Sequence, residues 1–391
     1  MRIQLWSCNY DPEPMGIAPL AGVWARAMAD RGHQVEVVAA HPHYPDPVWG
    51  LRLRPYLEIR AGIPVRRLPL YMGRERARDR LLQEASFLAS LSLVAPFLDR
   101  PDAIVSTSPS FPALLPGIVS SRLRKIPWFI WLQDILPDGA VATGYLDDSD
   151  PIVRASRRLE QAAYRTASGI VVLSRSFREN LLAKGVPEEK ITVAYNPATL
   201  SGDSLYGPDS NQPPRIIVMG NIGKSQGLAD VVRDFEADPD LEAMNASLVI
   251  AGSGVAESEV RAAISTDRVE MTGLLDQEEI RAQLSRATLA AVTQSYEAGE
   301  FNVPSKLMNY LATGMPVVAS VRPQSEAARI VRESGSGWIA KPGEFGSTVA
   351  SVISDQEELD RRSRAGHRFA RRNLSPAALA TLFEDAISGT I

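Results

Sequence analysis

The chain has 391 residues, a length that exceeds one ordinary hydrophobic core and predicts two domains. Its formal net charge of −4 excludes a general nucleic-acid binder, which would carry a basic surface. A single cysteine, Cys8, excludes internal disulfides and cysteine-rich metal sites.

The amino-terminal residues do not predict a targeting sequence, because Gln4 interrupts their short apolar run. The most apolar window, residues 87–98, is too short to span a bilayer. We therefore expect a cytoplasmic protein, with the inner face of the membrane as a more specific expected location.

The first forty residues alternate between strand and helix patterns. Residues 2–7 predict a strand and residues 18–31 a helix, and a second strand follows over 33–40. This order predicts a parallel, doubly wound sheet. The loop NYDPEPMGIAPLAG lacks the GxGxxG dinucleotide fingerprint. Its Gly16 either admits a phosphate close to the backbone or only satisfies a turn.

A basic segment follows between residues 51 and 80, with nine arginines against three acids and a local net charge of +6. It is either a solvated charged face or a patch that docks on anionic lipid or holds a phosphorylated acceptor. We favour the patch, because the charge excess is local and lies beside apolar and aromatic residues. The candidate acceptor or membrane patch consists of Arg66, Arg67, Arg74 and Arg76.

Further α/β units predict two Rossmann-like halves with a ligand cleft between them, beyond the carboxyl ends of the strands. A stretch rich in Pro, Gly, Ser, Asp and Asn separates the halves and predicts a linker. We expect an N-terminal domain over 1–200, a linker over 201–214, a C-terminal domain over 215–365, and a helical segment over 366–391 that returns to the N-terminal domain.

The stretch EAGEFNVPSKLMNYLATGMPVVAS, residues 297–320, organises the second half. Pro304 predicts the start of a helix that Gly314 ends, and a buried strand follows. The free amide groups of the first turn and the charge of Lys306 predict an anion site. The same pattern equally fits one βαβ unit of an ordinary parallel sheet.

With these residues in view, the chain resembles a GT-B glycosyltransferase of the large retaining family 4 type, and more narrowly its bacterial exopolysaccharide (colanic-acid-like) branch. The motifs that carry the resemblance are NYDPEPMGIAPLAG, GHQVEVVAAHPHYP, IPVRRLPLY, WLQDILPD, GNIGKSQGL, VPSKLMNYLATGMPVVAS and SGSGWIAKPGE. The resemblance implies the α/β GT-B fold, in which two Rossmann-like domains face each other across a deep cleft. It also implies a nucleotide-sugar donor, no metal and no other cofactor.

The resemblance implies that protein groups neutralise the donor diphosphate, which is the leaving group. The arginine and lysine that the family commonly places after the first C-terminal strand are replaced here by Asn221 and Gln226. The second of the family's two glutamates falls on Asn309, which can hydrogen-bond a ribose hydroxyl without charge. The expected donor-binding residues are Gly16, Gly220, Asn221, Gly223, Lys224, Ser305, Lys306 and Asn309.

Two acids are the candidate catalytic residues. Glu300, the nearest acid to the family's first glutamate, orients the sugar or stabilises charge at its anomeric carbon, or is only a surface acid. Asp134 contacts the donor sugar or deprotonates the acceptor hydroxyl, or caps a helix. The loop histidines His41 and His43 either contact the acceptor or have no function.

The resemblance implies retaining transfer of a sugar from a nucleotide diphosphate sugar, with UDP as the first choice and GDP as the second. The acceptor is the hydroxyl of a polyprenyl-linked, otherwise membrane-borne or soluble glycan, and peripheral membrane contact is expected. Two alternatives stay open: a nucleotide-sugar 2-epimerase of the same fold, and a non-catalytic partner of polysaccharide assembly. The missing arginine–lysine pair keeps the second alternative open.

Overall fold

The computed structural model describes residues 1–14, 16–43, 52–73, 77–108, 111–135, 147, 149–200, 203–209, 211–296 and 304–390. The chain divides into two compact units. The first comprises Met1–Tyr195 and Pro376–Ile391, and the second comprises Asn196–Ser375. The chain thus re-enters the first unit at Pro376, ten residues later than the expected return.

The first unit is built on an eight-stranded sheet. Its strands are β1 (Arg2–Ser7), β2 (Gln34–Ala40), β3 (Tyr56–Arg60), β4 (Ile63–Leu68), β5 (Ala103–Ser108), β6 (Trp128–Leu132), β7 (Gly169–Val172) and β8 (Ile191–Val193). Their order across the sheet is β3-β4-β2-β1-β5-β6-β7-β8. The pairs are parallel except for β3 with β4, which is antiparallel. The predicted doubly wound α/β fold is confirmed, with an additional antiparallel edge strand inside the basic segment.

Helices cover both faces of this sheet, which explains why its central strands read as apolar runs. The helices are α1 (Ile17–Asp30), α2 (Ala77–Val94), α3 (Phe111–Arg124), α4 (Pro151–Thr166) and α5 (Arg175–Ala183), with a short 3₁₀ turn at Ala95–Phe97. Every residue of β5 and β6 is buried. Close packing of α3 requires Gly117, because a Cβ there would lie 2.3 Å from the Trp128 ring.

The second unit is built on a six-stranded parallel sheet in the order β11-β10-β9-β12-β13-β14. Its strands are β9 (Arg215–Met219), β10 (Ser247–Ala251), β11 (Val269–Gly273), β12 (Leu289–Thr293), β13 (Val317–Ser320) and β14 (Gly337–Ala340). Its helices are α6 (Leu228–Glu236), α7 (Pro239–Ala243), α8 (Glu257–Ala263), α9 (Gln277–Arg286), α10 (Ser305–Ala312), α11 (Glu326–Ser334), α12 (Phe345–Val352) and α13 (Gln356–Asn373). In the described ranges, no helix combines the length and apolar character needed to cross a bilayer.

The last helix, α14 (Pro376–Ser388), completes the core of the first unit. The ring of Phe383 lies 5.3 Å from both Trp24 and Trp131, centroid to centroid, in edge-on contacts. Glu384 of the same helix forms an ion pair with Arg31 at the end of α1. The aromatic cluster therefore joins the first helix, the central sheet and the last helix.

Replacing Phe383 with alanine is expected to destabilise the first unit by about 3–5 kcal/mol, because the substitution leaves a cavity between two indole rings. Denaturant unfolding followed by tryptophan fluorescence measures the loss. The matched control is Phe97→Ala, since Phe97 is 88% exposed. That change should stay within about 0.5 kcal/mol. Equal effects of the two substitutions would contradict the assignment of α14 to this core.

Candidate functional site

The carboxyl ends of β9 and β12 lie side by side at the centre of the second unit's sheet. From β9 the chain moves to β10 on one side, and from β12 it moves to β13 on the other. Ligands bind at such reversals of strand order in open α/β sheets. The two loops that begin here are tied together, because the Ser295 amide donates to the Ser225 carbonyl at 2.8 Å. This edge is the candidate ligand site of the unit.

A glycine-bearing loop leads from β9 to α6. Gly220 has a φ of 104°, and a Cβ added there would lie 3.7 Å from Cε of Lys306. Gly227 follows the 3₁₀ turn Lys224–Gln226 and adopts the left-handed conformation, with φ 61°, directly before α6. A side chain disfavours both conformations. The two glycines thus allow the loop to turn back beside the start of α10.

Lys306, in the first turn of α10, is a buried cation with only 8% of its surface exposed. Its Nζ donates to Oε1 of Gln226 at 2.9 Å. Burial lowers the pKa of Lys306 to about 8, because the charged form loses its hydration. The amine is still mostly protonated at neutral pH. A positive charge held at a helix amino terminus in this way favours an anionic ligand.

Tyr310 fixes α10 against the strand that leads into the loop. Its Oη accepts a hydrogen bond of 2.8 Å from the amide of Met219, the last residue of β9. The side chain is fully buried, and desolvation raises the pKa of Tyr310, so the hydroxyl stays protonated. Because Tyr310 lies about one turn after Lys306, this bond sets the position of the lysine relative to the loop.

The other predicted donor-binding residues lie around the same loops. Asn221 and Lys224 are exposed, Gly223 is buried, and Ser305 is exposed at the start of α10. Lys224 also borders a cavity of about 580 Å³, a volume typical of small-molecule sites. Its other lining residues include Gly227, Gln294, Ser295, Tyr296, Ser320 and Phe345, and three acids, Asp230, Asp234 and Glu259. The structure therefore gathers Gly220, Lys224 and Lys306 at one edge of the sheet.

The sequence predicts that Asn309 contacts a ribose hydroxyl, but in the structure its side chain is hydrogen-bonded to protein groups. Its Oδ1 accepts from the amides of Thr199 and Leu200 at 2.8 and 3.0 Å. Its Nδ2 donates to Oγ1 of Thr199 at 3.0 Å. Asn309 thus fastens residues 199 and 200 to α10. The contact with ribose stays a prediction.

Of the predicted donor-binding and catalytic residues, Gly16 and Asp134 lie in the first unit. Gly16 precedes α1 with φ 66°, and the space where a Cβ would stand is open to 4 Å. Asp134 follows the buried strand β6, and its Oδ1 accepts from the Ile135 amide at 2.8 Å. Desolvation raises the pKa of Asp134, which strengthens the carboxylate as a proton acceptor. The structure does not bring Asp134 together with Lys306 within one unit.

The predicted arginine patch requires a correction at Arg67. This side chain is fully buried, donates to Glu58 and the Ala40 carbonyl, and contacts the Asp11 carbonyl. Its charge is used inside the protein, so it cannot form part of a docking surface. Arg66 is partly exposed and lies 3.4 Å from Glu36. Three predicted residues lie outside the described part of the chain: Arg74, Arg76 and Glu300.

A buried polar cluster in the first unit was not predicted. Oε1 of Glu13 accepts from the His43 amide at 2.7 Å, and Oε2 accepts from Nδ2 of Asn9 at 2.8 Å. Glu13 and His43 are each 2% exposed. The cluster lies beyond the carboxyl ends of β1 and β2, where ligands bind in such sheets. The signals in the sequence are an acid between two prolines, DPEP, in the loop after β1, and His43, which the sequence offers as an acceptor contact.

Comparisons with known proteins agree on one family. Residues 15–197 match the model described as "Glycosyl transferase 4-like domain", and residues 213–355 match "Glycosyl transferases group 1". WcaI of Escherichia coli (strain K12), a colanic acid biosynthesis glycosyl transferase by name, is 25% identical to this chain over 411 residues. The alignment covers 100% of both chains.

Two solved structures share the fold. Sucrose-phosphate synthase from Thermosynechococcus elongatus matches with a TM-score of 0.70 and 17% identity, over 100% of this chain and 98% of that one. HepE of Anabaena in complex with UDP matches with a TM-score of 0.68 and 16% identity over 100% of both chains. At these identities the likeness concerns the fold alone.

Replacing Lys306 with methionine is expected to stabilise the protein at neutral pH by about 2 kcal/mol, because it removes a desolvated charge. The pKa of Lys306 is about 8 in the fold, against an ordinary value of 10.5. The unfolded chain therefore binds more protons between these values, and the wild type gains stability as the pH rises through that window. The advantage of Lys306→Met should disappear over the same window.

Denaturant unfolding across this pH range measures the difference between the two proteins. Lys224→Met is the matched control, because Lys224 is exposed. It should change stability by less than about 0.5 kcal/mol at every pH. A Lys306→Met protein that is less stable than the wild type at neutral pH would contradict the conclusion that the buried charge of Lys306 lowers stability.

Proposed function

Because this chain belongs to the family 4 type of GT-B glycosyltransferases, we propose that it transfers a sugar from a nucleotide diphosphate sugar to a hydroxyl with retention of anomeric configuration. The donor nucleotide is UDP, with GDP as the second choice. Support for UDP comes from HepE of Anabaena, which has been solved in complexes with UDP and with UDP-glucose.

The observation that carries the proposal is the buried charge of Lys306 at the start of α10. Departure of a nucleoside diphosphate concentrates negative charge on its phosphate oxygens, and preorganised positive charge stabilises that state. Lys306 is held ready by Gln226 and by the position that Tyr310 sets. Its poorly hydrated surroundings strengthen the attraction. In this proposal the protein neutralises the diphosphate without a metal or another cofactor.

The proposed chemistry needs no protein nucleophile. The bond from the anomeric carbon to the diphosphate oxygen breaks, and the acceptor oxygen bonds to that carbon on the same face. The acceptor proton passes to the leaving diphosphate. Asp134, whose desolvated carboxylate is a strengthened base, contacts the donor sugar or helps to remove this proton.

The proposed acceptor is a glycan, either membrane-linked or soluble, at the cytoplasmic face of the membrane. The relative WcaI supports this class, since its name places it in the biosynthesis of colanic acid.

Titration calorimetry with UDP and GDP tests the donor site. We expect UDP to bind the wild type and Lys306→Met to weaken binding by about tenfold to a hundredfold, because a charge-assisted contact is lost. Binding should also weaken as the pH rises through about 8, where free Lys306 loses its proton. Lys224→Met, which removes an exposed charge, should have a smaller effect. Equal binding by Lys306→Met and the wild type would remove Lys306 from the site.

Proton NMR of the sugar released or transferred early in the reaction tests retention. The anomeric coupling should match that of the donor, because attack and departure occur on the same face. The opposite anomer would overturn retention. An epimerised donor would support the 2-epimerase, and a donor that binds without turnover under any acceptor condition would support the non-catalytic partner.

A further inference from the structure

Another cavity of the second unit lies at the edge of the sheet opposite to the candidate ligand site. Its volume is about 630 Å³, slightly larger than that of the cavity beside Lys224 and within the range of small-molecule sites. Three adjacent strands begin here: Arg215 is the first residue of β9, Ser247 is the first residue of β10, and Arg268 directly precedes β11. All three residues line the cavity, and its described lining residues are all different from those of the cavity beside Lys224.

Backbone hydrogen bonds hold the starts of these strands in place. The Ser247 amide donates to the Pro214 carbonyl at 2.9 Å, which fixes the start of β10 beside the start of β9. The Leu248 amide donates to the Arg268 carbonyl at 2.9 Å, which fixes β10 beside the residue that precedes β11. Because the backbone of this edge is already ordered, a ligand does not have to pay the entropy of ordering it.

Arg268 is a positioned cation of this cavity. Its guanidinium lies 5.1 Å from the centroid of the Phe235 ring, and its Nη2 donates to the Glu236 carbonyl at 2.9 Å. Its Nη1 is buried and has no hydrogen-bond partner among the described residues. The guanidinium must turn slightly to present Nη1 to the cavity, and a bound anion offsets that movement by accepting from the unused donor.

Two further arginines line the cavity. Nη2 of Arg215 donates to Oε1 of Gln283 at 2.8 Å and lies 3.3 Å from Oε2 of Glu270, whereas its Nε is buried without a partner among the described residues. Arg286, in the last turn of α9, is exposed and forms no ion pair within the described ranges. The cavity therefore has guanidinium donors that the described part of the protein leaves unused.

Acids and amides define the other part of the lining. Oδ1 of Asp209 accepts from the amide and from Nδ2 of Asn211 at 2.9 and 3.1 Å, so it is partly used within its own loop. Asp267, Asn245 and Gln212 are exposed, and their side chains suit hydroxyl groups. The described lining contains no aromatic side chain, which disfavours an apolar ligand. It carries three arginines against two acids, an excess of one positive charge.

From this lining we infer that the cavity at the amino ends of β9, β10 and β11 binds a phosphorylated polyol. Arg268 and Arg286 hold the phosphate, because guanidinium groups match the geometry of phosphate oxygens. Asp267 and Asn245 meet the hydroxyls. The two acids disfavour a ligand that is anionic throughout, whereas a polyol with one phosphate has both kinds of group. The inference goes beyond sugar transfer, because it uses no residue of the candidate donor site.

Titration calorimetry with ribose 5-phosphate, without any nucleotide, tests the inference, and ribose and inorganic phosphate are the comparison ligands. The wild type should bind ribose 5-phosphate at least about tenfold more tightly than either comparison ligand, because only the whole compound contacts both sets of groups. Arg286→Gln should weaken binding by about threefold to tenfold, since a charge-assisted contact is lost. Arg268→Gln combined with Arg286→Gln should weaken it by about thirtyfold or more. Thermal unfolding checks that each variant folds, and the exposed Arg286 keeps the test informative if the double variant does not.

A matched control removes two exposed arginines that do not line the cavity, Arg261 and Arg364. Arg261→Gln combined with Arg364→Gln changes the net charge equally and should leave binding unchanged. Lys306→Met should bind ribose 5-phosphate as the wild type does, and loss of binding in this variant would overturn the inference by moving the ligand to the candidate donor site. Absence of saturable binding up to about 10 mM would also overturn it. Equal affinity for inorganic phosphate would overturn the polyol and leave an inorganic phosphate site.

Discussion

A protonated amine enclosed by protein at the start of α10 is the constraint on which the second unit's candidate ligand site depends. Lys306 keeps most of its charge at neutral pH, although in the described part of the chain a hydrogen bond to the Gln226 side chain is what replaces its lost hydration. The hydroxyl of Tyr310 fixes the helix, and the glycines of the β9–α6 loop let the backbone pass close to the lysine. Without a bound anion, the buried charge of Lys306 lowers the stability of the fold. An anion bound beside the amine offsets this loss of stability.

The sequence predicts the sheets well because their strands are buried on both sides and read as uninterrupted apolar runs. It also predicts α10, since Pro304 and Gly314 mark the ends of this helix and place Lys306 in its first turn. It does not predict how far Lys306 is buried, because burial depends on elements distant in the sequence. The same limit applies to Gln226. The sequence shows that this glutamine stands where the family commonly has a lysine, but it does not show that the side chain contacts Lys306.

Contacts between residues distant in the sequence also determine whether a charged side chain is buried, paired or exposed. The basic segment around β3 and β4 looks like a free patch, yet Arg67 is enclosed and Arg66 and Arg60 lie beside acids that come from other parts of the chain. Conversely, the arginines of α4 lie among apolar and small residues in the sequence. They form a row only because the helical repeat collects them on one side, while Glu160 turns inward. The net charge of a sequence segment therefore predicts neither the burial of Arg67 nor the row of arginines on α4.

The contacts of Phe383 determine which of the two units can complete its hydrophobic core first during synthesis. The second unit, Asn196–Ser375, is inserted in sequence between the body of the first unit and its last helix. A ribosome therefore releases the whole second unit before Phe383 can reach Trp24 and Trp131. The unit that is translated first closes its core last, and its nascent form exposes an aromatic surface until α14 has been translated.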